Sequence, residues 1–411
     1  MGSSVLPIEI WERVIDFIPG LDEWEAYSKE ARDCLWSISL VCRAWVARCR
    51  VHLFEIVEPF NGSQAKALMD VIRSSPVVGQ WIRVLKISPP KELVDKAEPG
   101  DKPETTAKIP KHPPSYHNWI YELLTVLPPF LTKLRELQLS NLPTLHPSFI
   151  HLASRFSTTV NSLTLINLQN QSFAEIIRLV NRFPHLQRLE LSECEWKRPV
   201  NYYKGKSHKF QTLEVRTSDA HGKDLDNWGL ATNSFGGIRM MKWSSIGSPV
   251  DNGLKGVLRR CTDTLRIATL SFDSTPSDEE FELPSLIDHT KLIILYLARP
   301  PLKSLITFIS NFPLVAPPSL IHFRLQIDHS FSDTFTKDPK TKGAWSNLDT
   351  QLGSDSKFKM LSRFIIFGFG SPGEGKTTLE DAREFFQETM PKVYEKGILW
   401  WGPPTRRVHR F

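Results

Sequence analysis

The segment Leu134-Arg-Glu-Leu-Gln-Leu139, which reads L-x-x-L-x-L, sets the pattern of most of this chain. Two further clear copies are Val160/Leu163/Leu165 and Leu186/Leu189/Leu191. Looser copies are Ile82/Leu85/Ile87, Phe210/Leu213/Val215, Ile238/Met241/Trp243, Ile267/Leu270/Phe272, Leu292/Leu295/Leu297, Leu320/Phe323/Leu325 and Leu361/Phe364/Ile366. Alternation of apolar residues predicts a short strand with one buried face in each copy.

The spacing of these copies is regular. Between residues 134 and 320 they begin 24 to 29 residues apart, which is the period of leucine-rich repeats, with one strand and one returning helix or irregular segment per turn. A single repeat cannot bury its own apolar face, so we expect a solenoid with a curved parallel sheet and outer helices. The alternative is a run of unrelated α/β units in a leucine-rich chain.

The first 58 residues follow a helical period instead. One stripe is formed by Ile10, Val14, Phe17 and Ile18, and a second by Leu35, Ile38, Val41, Cys42 and Trp45. Pro7 suits a first helical turn, where its missing N–H is not needed. A segment of this size is near the lower limit for an independent core, so part of its apolar surface is expected to bind a partner.

These residues resemble an F-box. The resemblance is carried by Leu6-Pro7, the Ile10/Val14/Phe17 stripe, Leu40-Val-Cys-Arg-Ala-Trp45 and the ending His52-Leu53-Phe54, the last typical of the form in mushroom-type fungi. It implies a three-helix module that binds the Skp-type adaptor of a cullin-RING ubiquitin ligase. Carried over by position, the adaptor-binding residues are Leu6, Pro7, Ile10, Val14, Leu40, Val41, Cys42 and Trp45. The alternative is an ordinary helical hairpin packed on the rest of the fold.

The resemblance and the repeats together predict an α+β/α/β fold, with a three-helix F-box over residues 1–58 and a leucine-rich-repeat solenoid over residues 59–411. In the three clear copies the ninth position is Leu142, Leu168 or Cys194, which resembles the repeat subtype that often follows an F-box. Charged, apolar-poor stretches predict mobile insertions at about 89–115 and 328–357. Trp345, Leu348 and Leu352 predict a short amphipathic helix within the second insertion, and residues 379–411 are expected to cap the array.

The function predicted from these two parts is a substrate receptor rather than an enzyme, with an unknown target protein held on the sheet face. The candidate target-binding residues on that face are Arg188, Arg216, Tyr296, Arg324 and Phe367. The alternative for the late residues is that the tail with Trp400 and Trp401 covers them. A leucine-rich scaffold without a ubiquitination role is the alternative function.

The segment Gly370-Ser-Pro-Gly-Glu-Gly-Lys376-Thr377 matches the phosphate-binding loop pattern G-x-x-x-x-G-K-[ST]. Only 34 residues follow it, and each further parallel strand with its crossover needs roughly 30 or more. A nucleotide-binding domain does not fit in that length, so we predict a glycine-rich connection to a capping helix. A nucleotide-dependent switch that uses Lys376 is the less favoured alternative.

Composition excludes several other classes. The chain has 411 residues, a net charge of +6 and scattered basic residues, so a nucleic-acid partner is not predicted. No signal peptide or membrane segment is predicted. The five cysteines lack metal or disulfide spacing and those at 34, 42 and 49 are expected to be buried, which points to the cytoplasm or nucleus. No catalytic, metal or cofactor site is predicted.

Overall fold

The computed structural model describes residues 7–20, 29–90, 118–142, 144–199, 206–246, 252–272, 284–327, 339–353, 358–367 and 379–401. The chain divides into two compact units, the first ending at Leu186 and the second beginning at Gln187. Each unit is a mixture of parallel strands and helices, as the repeat pattern predicts.

Unit 1 begins with helices and continues into a parallel sheet. Its helices are α1 Ile8–Phe17, α2 Lys29–Val41, α3 Arg43–Leu53, α4 Gly62–Ser74, α5 Pro76–Gly79, α6 Asn118–Val126, α7 Pro147–Ala153 and α8 Phe173–Val180, with 3-10 turns at Ile18–Gly20 and Ser154–Phe156. Its strands are β1 Ile56–Val57, β2 Val84–Ile87, β3 Glu136–Ser140, β4 Ser162–Ile166 and β5 Gln169–Ser172. Strands β1 to β4 pair in chain order, all parallel.

Unit 2 carries a longer parallel sheet. Its strands are β6 Arg188–Ser192, β7 Glu195–Arg198, β8 Thr212–Ser218, β9 Met240–Ile246, β10 Ile267–Phe272, β11 Ile294–Ala298, β12 His322–Gln326, β13 Arg363–Phe367 and β14 Leu399–Trp401. All except β7 belong to this sheet, in chain order. Its helices are α9 Asp219–Thr232, α10 Asn252–Arg260, α11 Leu302–Ser310, α12 Phe312–Val315, α13 Pro339–Gly353, α14 Leu379–Thr389 and α15 Pro391–Glu395.

All the predicted apolar triplets except the one that begins at Ile267 form the core beneath the sheets. Leu134, Leu137 and Leu139 are fully buried, and the ninth-position residues Leu142 and Leu168 are buried with them. In unit 2 the rings of Phe323 and Phe364 stack across neighbouring strands, with centroids 4.9 Å apart. The strands are therefore held by the side chains that the repeat pattern identifies.

One triplet is shifted from its predicted register. Ile267 pairs with Met240 and Ile294, on the opposite face from Leu270. The buried triplet of β10 is Leu265, Ala268 and Leu270. Because side chains alternate along a strand, a small alanine at the central position conceals the true register from an apolar-residue pattern.

The start of the sheet and the segment 328–357 also differ from the sequence prediction. Strand β1 pairs with β2, Ile56 opposite Val84, so the sheet begins inside the segment assigned to the F-box. The predicted helix within 328–357 is observed as α13, and its Trp345 is fully buried. That part of the insertion is packed, where its charge pattern predicts a mobile segment.

The end of the described chain continues the sheet. Helices α14 and α15 precede β14, which pairs in parallel with β13, Ile365 opposite Trp400. The described part of the segment expected to cap the array, residues 379–401, therefore contains two helices and a strand.

Candidate protein-docking surfaces

The N-terminal helices have a small core of their own. Its buried members are Ile15, Ile18, Ala31, Leu35 and Cys49, and Ile38, Trp45 and Leu53 pack against it half-buried. The indole rings of Trp11 and Trp45 lie 5.0 Å apart, which joins α1 to α3. The three helices are therefore held together by contacts among themselves.

Helix α1 is apolar on more than the side that faces this core. Trp11, Ile15 and Ile18 point inward, whereas Val14 and Phe17, one residue earlier in each turn, are exposed. A shift of one residue turns a side chain by about 100° around the helix, so the second row points away from the core. Phe17 leaves 72% of its surface in contact with solvent.

Helix α2 repeats this arrangement. Leu35 and Ile38 contact the core, while Trp36, one residue after Leu35, and Leu40, two residues after Ile38, are exposed. Leu40 and Val41 are 76% and 72% exposed. Burying one such side chain contributes about 1.5–3 kcal/mol, so each exposed row is a source of binding energy for a protein that covers it.

The backbone makes a sharp break after Val41. Cys42 is extended, with φ −143° and ψ 130°, and it separates two helices that a continuous apolar pattern joins. The backbone carbonyl of Cys42 accepts a hydrogen bond from the N–H of Trp45 at 3.0 Å, and this bond begins α3. The break leaves the exposed pair Leu40-Val41 at the end of α2.

The structure distributes the eight predicted adaptor-binding residues in three ways. Pro7, Ile10, Val14, Leu40 and Val41 are exposed, Cys42 and Trp45 are half-buried, and Leu6 lies outside the described residues. Sequence reasoning assigned no binding role to Phe17 or Trp36. The signal for both was available, since each lies one residue from a core position and extends an apolar row at helical spacing, Phe17 three residues after Val14 and Trp36 four residues before Leu40.

The cysteine prediction needs correction. Cys49 is buried, but Cys42 is half-buried and Cys34 is exposed. Cys34 precedes the core residue Leu35 by one position on α2 and therefore points to its outer side.

A polar cluster ties α1 to α3 beside this core. Asp16 accepts hydrogen bonds from Arg48, one of them 2.6 Å from Nε, and lies 2.8 Å from His52 Nε2. The Arg48 hydrogen bond is the main reason that the pKa of Asp16 is lowered. The pKa of His52 is raised, first by Glu55, whose Oε2 lies 3.5 Å from Nδ1, and then by Asp16.

The face of the unit 2 sheet begins with paired charges. Arg188 lies 3.3 Å from Glu190 and 3.4 Å from Glu214. Glu214 also pairs with Lys242 on the next strand, and Arg216 lies 3.1 Å from Glu193. The two predicted target-binding arginines of this region are therefore exposed but already neutralised by carboxylates.

The other predicted target-binding residues lie farther along the same sheet. Tyr296 and Arg324 are adjacent in the β11–β12 register and only 8% and 7% exposed. The Tyr296 hydroxyl donates to Gln326 Oε1 at 2.5 Å, and burial raises the pKa of Tyr296 to about 12. Phe367 is the last residue of β13, and the structure does not describe its side chain.

Trp400 continues this face rather than covering Tyr296. It lies opposite Ile365 on the neighbouring strand, half-exposed, three strands beyond β11. The guanidinium carbon of Arg363 lies 5.3 Å from the centre of its indole ring. The last described strand therefore adds an aromatic side chain beside a cationic one.

Other sites can be considered only within the described chain. The loop Gly370–Thr377 falls outside it, between β13 and α14. Among the described residues, no cluster of three or more His, Cys, Asp and Glu side chains is suited to hold a metal ion, and none of the described helices combines the length and apolarity needed to cross a bilayer.

Comparison with known proteins adds no family assignment. No protein-family model matches the chain, and no curated protein matches it in sequence.

Proposed function

We propose that this protein is the substrate-recognition subunit of a Skp/cullin/F-box ubiquitin ligase. In this proposal α1 to α3 form an F-box that binds a Skp-type adaptor, and leucine-rich repeats of the solenoid type present a surface to a target protein. The observation that carries the proposal is the second apolar row on both α1 and α2, which lies outside the helices' own core. Rows of this kind are typical of helices that are completed by a partner.

The proposed contribution of the chain is proximity. Binding the adaptor at one surface and the target at another raises the effective concentration of the target near the ligase's catalytic subunits. Orientation of the target lysine then lowers the cost of the transfer step. Under this proposal no residue of the chain takes part in bond making.

The junction between helices and sheet suits that role. Helix α3 ends at Leu53, and the carbonyl of Glu55 already accepts the N–H groups of Arg83 and Val84, at 2.9 and 3.0 Å. The Phe54 and Trp81 rings also pack together, 6.4 Å apart. An adaptor bound to the helices would thus be held in a fixed orientation relative to the first strands of unit 1.

The test is co-purification of the full chain with a purified Skp-type adaptor. Phe17→Asp with Leu40→Asp removes two exposed apolar side chains, and we expect at least about 30-fold weaker binding, which corresponds to a loss of about 2 kcal/mol. Leu314→Asp is the matched control, because Leu314 is equally exposed but lies in unit 2. Unchanged thermal unfolding of both variants would show that folding is retained. Equal adaptor binding by wild type and the double variant, or none by either, contradicts the proposal.

A ligase receptor and a scaffold differ in one further result. If adaptor binding is established, the chain reconstituted with adaptor, cullin and RING subunits should support ubiquitin transfer to a protein that it captures from a proximity-labelling screen. Adaptor binding without transfer to any captured protein would favour the scaffold.

A further inference from the structure

Acidic residues are distributed unevenly over the unit 2 sheet. Strands β6 and β8 contain Glu190 and Glu214, which neutralise the cations beside them. Strands β10 to β14 read IATLSF, ILYLA, HFRLQ, RFIIF and LWW, with no Asp or Glu in these described strands. Their outward face nevertheless carries His322, Arg324 and Arg363, so the strands at this end supply positive charge only.

The register brings these cationic groups against one another. His322 lies directly opposite Arg363, where a protonated imidazole would be repelled by the guanidinium. The pKa of His322 is lowered by burial and then by Arg363 and Arg324. The pKa of Arg324 is lowered by burial and then by Arg363. Conflicts of this kind inside an otherwise regular fold are typical of binding sites.

An apolar surface lies beside the exposed cation. Ile365 follows Arg363 by two residues on the same face of β13, about 7 Å along the strand, and lies opposite Trp400. It packs against Tyr296 and Ala298. Arg363 is held over the Trp400 ring. The backbone positions of Arg363 and Ile365 are therefore separated by the distance between alternate residues of an extended peptide, and the guanidinium lies beside the apolar surface of Ile365 and Trp400.

We propose that the face of β12 to β14 binds an extended acidic segment of the target, with one Asp or Glu side chain on Arg363 and an apolar side chain two positions away on Ile365 and Trp400. A carboxylate fits better than a phosphate dianion, because Arg324 is only 7% exposed and Arg363 is the exposed guanidinium of these strands. One guanidinium fork matches one carboxylate. The inference rests on the proposed function only in naming this segment as part of the target.

The test uses the full chain and a positional-scanning array of degenerate twelve-residue peptides, with one residue fixed per position as Glu, Gln, phosphoserine, Lys or Leu. We expect selection of Glu two positions from Leu. The selected peptide, measured by fluorescence polarisation, should bind Arg363→Gln at least about tenfold more weakly, as for the loss of one charge-assisted hydrogen bond. Arg363→Glu should select Lys in place of Glu.

The control is Arg259→Gln, an exposed arginine in the last turn of α10 in the same unit, outside the sheet. It should bind the selected peptide like wild type, and both arginine variants should unfold at the same temperature as wild type. Preference for phosphoserine over Glu, absence of acidic selection, or equal weakening by Arg259→Gln overturns the inference. Adaptor binding is measured in a separate experiment. If the chain does not bind the adaptor, the proposed ligase role is contradicted, but the peptide-binding result still stands.

Discussion

Several strands end on a residue with left-handed backbone. Asn141 and Asn167 have φ of 56° and 50° in unit 1, and Glu193 and Arg299 have φ of 55° and 52° in unit 2. Asparagine tolerates this region, whereas longer side chains are strained there. The turn is retained because the N–H of the residue reaches the next strand, as Arg299 N–H reaches the Gln326 carbonyl at 2.8 Å.

Substituting Arg299 by glycine should therefore stabilise unit 2. Glycine removes the steric strain of the left-handed conformation but adds freedom to the unfolded chain, so we expect a net gain of about 0.5–1 kcal/mol. Urea unfolding measures the change. Arg266→Gly is the control, because Arg266 is also exposed but is not among the left-handed positions; it should lower stability. A loss of stability in Arg299→Gly would contradict the strain argument.

The cluster of Asp16, Arg48, His52 and Glu55 predicts a pH dependence. The pKa of His52 is raised above 6.5, so its contribution is complete below that value and is lost as pH rises through the folded-state pKa. The pKa of Asp16 is lowered below 3.8, so its contribution is present above that value and is lost in acid. His52→Gln should thus cost more stability at about pH 5.5 than at about pH 8.5. An equal cost in urea unfolding at both pH values would contradict this assignment.

At the scale of elements, α9 and α10 approach closely through glycine. A Cβ at Gly253 would lie 2.2 Å from the backbone of Gly222, which cannot move aside as a flexible side chain could. Helix propensity alone would favour alanine at this position. The contact therefore overrides propensity, and the glycine marks the point where the two helix backbones meet.

The two effects can be separated with a pair of glycine substitutions. Gly253→Ala should destabilise unit 2 by about 1–3 kcal/mol through overpacking. Gly343→Ala, on the exposed side of α13 with nothing within 4 Å of its Cβ position, should stabilise it by about 0.5–1 kcal/mol. Thermal or urea unfolding of both variants gives the signs. Stabilisation by Gly253→Ala would mean that the helices are not in contact at this point.

The elements were predictable where apolar alternation is strong. The position and the buried face of β3 follow directly from the alternation of Leu134, Leu137 and Leu139. Helix α13 follows from the helical spacing of Trp345, Leu348 and Leu352. The register of β10 was not predictable from Ile267, because its central inward residue is Ala268. Strand β1 was missed since two residues are too few to show a period, and only pairing with β2 defines it.

The sequence predicts where the docking surfaces lie better than it predicts which residues form them. The sequence shows two adjacent apolar rows on α1. In the structure Ile15 and Ile18 point inward and Phe17 points outward. Which row is buried depends on packing against α2 and α3, and the period of the sequence does not determine it. On the sheet, alternation correctly places Arg188 and Arg324 on the outward face. Whether a charge is paired there depends on neighbouring strands about 25 residues away in sequence, which local patterns do not show.

At the scale of the whole molecule, the helices and the first strands of unit 1 form one compact body. The predicted boundary at residue 58 would separate β1 from β2 and remove Trp81 from Phe54. The division between compact units falls instead at Leu186.

A fragment of residues 1–58 should accordingly be much less ordered than a fragment of residues 1–186. The short fragment retains only the core around Leu35 and Cys49, close to the limit for independent folding. Circular dichroism and dispersion of amide resonances in NMR spectra measure the difference. A cooperative thermal transition in the short fragment, with the same midpoint as in the longer one, would show that the sheet does not support the helices.

The chain-order pairing of parallel strands has a consequence for folding kinetics. Within each unit the sheet strands pair with their neighbours in chain order, at sequence separations from 24 residues for Arg188 and Thr212 to 52 residues for Val84 and Glu136. The entropic cost of closing each loop is then modest and similar, because it grows only slowly with loop length. Ordered structure can therefore spread from strand to strand after one nucleus forms. A substitution in the strand that nucleates should slow refolding, whereas one in a strand that is added later should mainly accelerate unfolding.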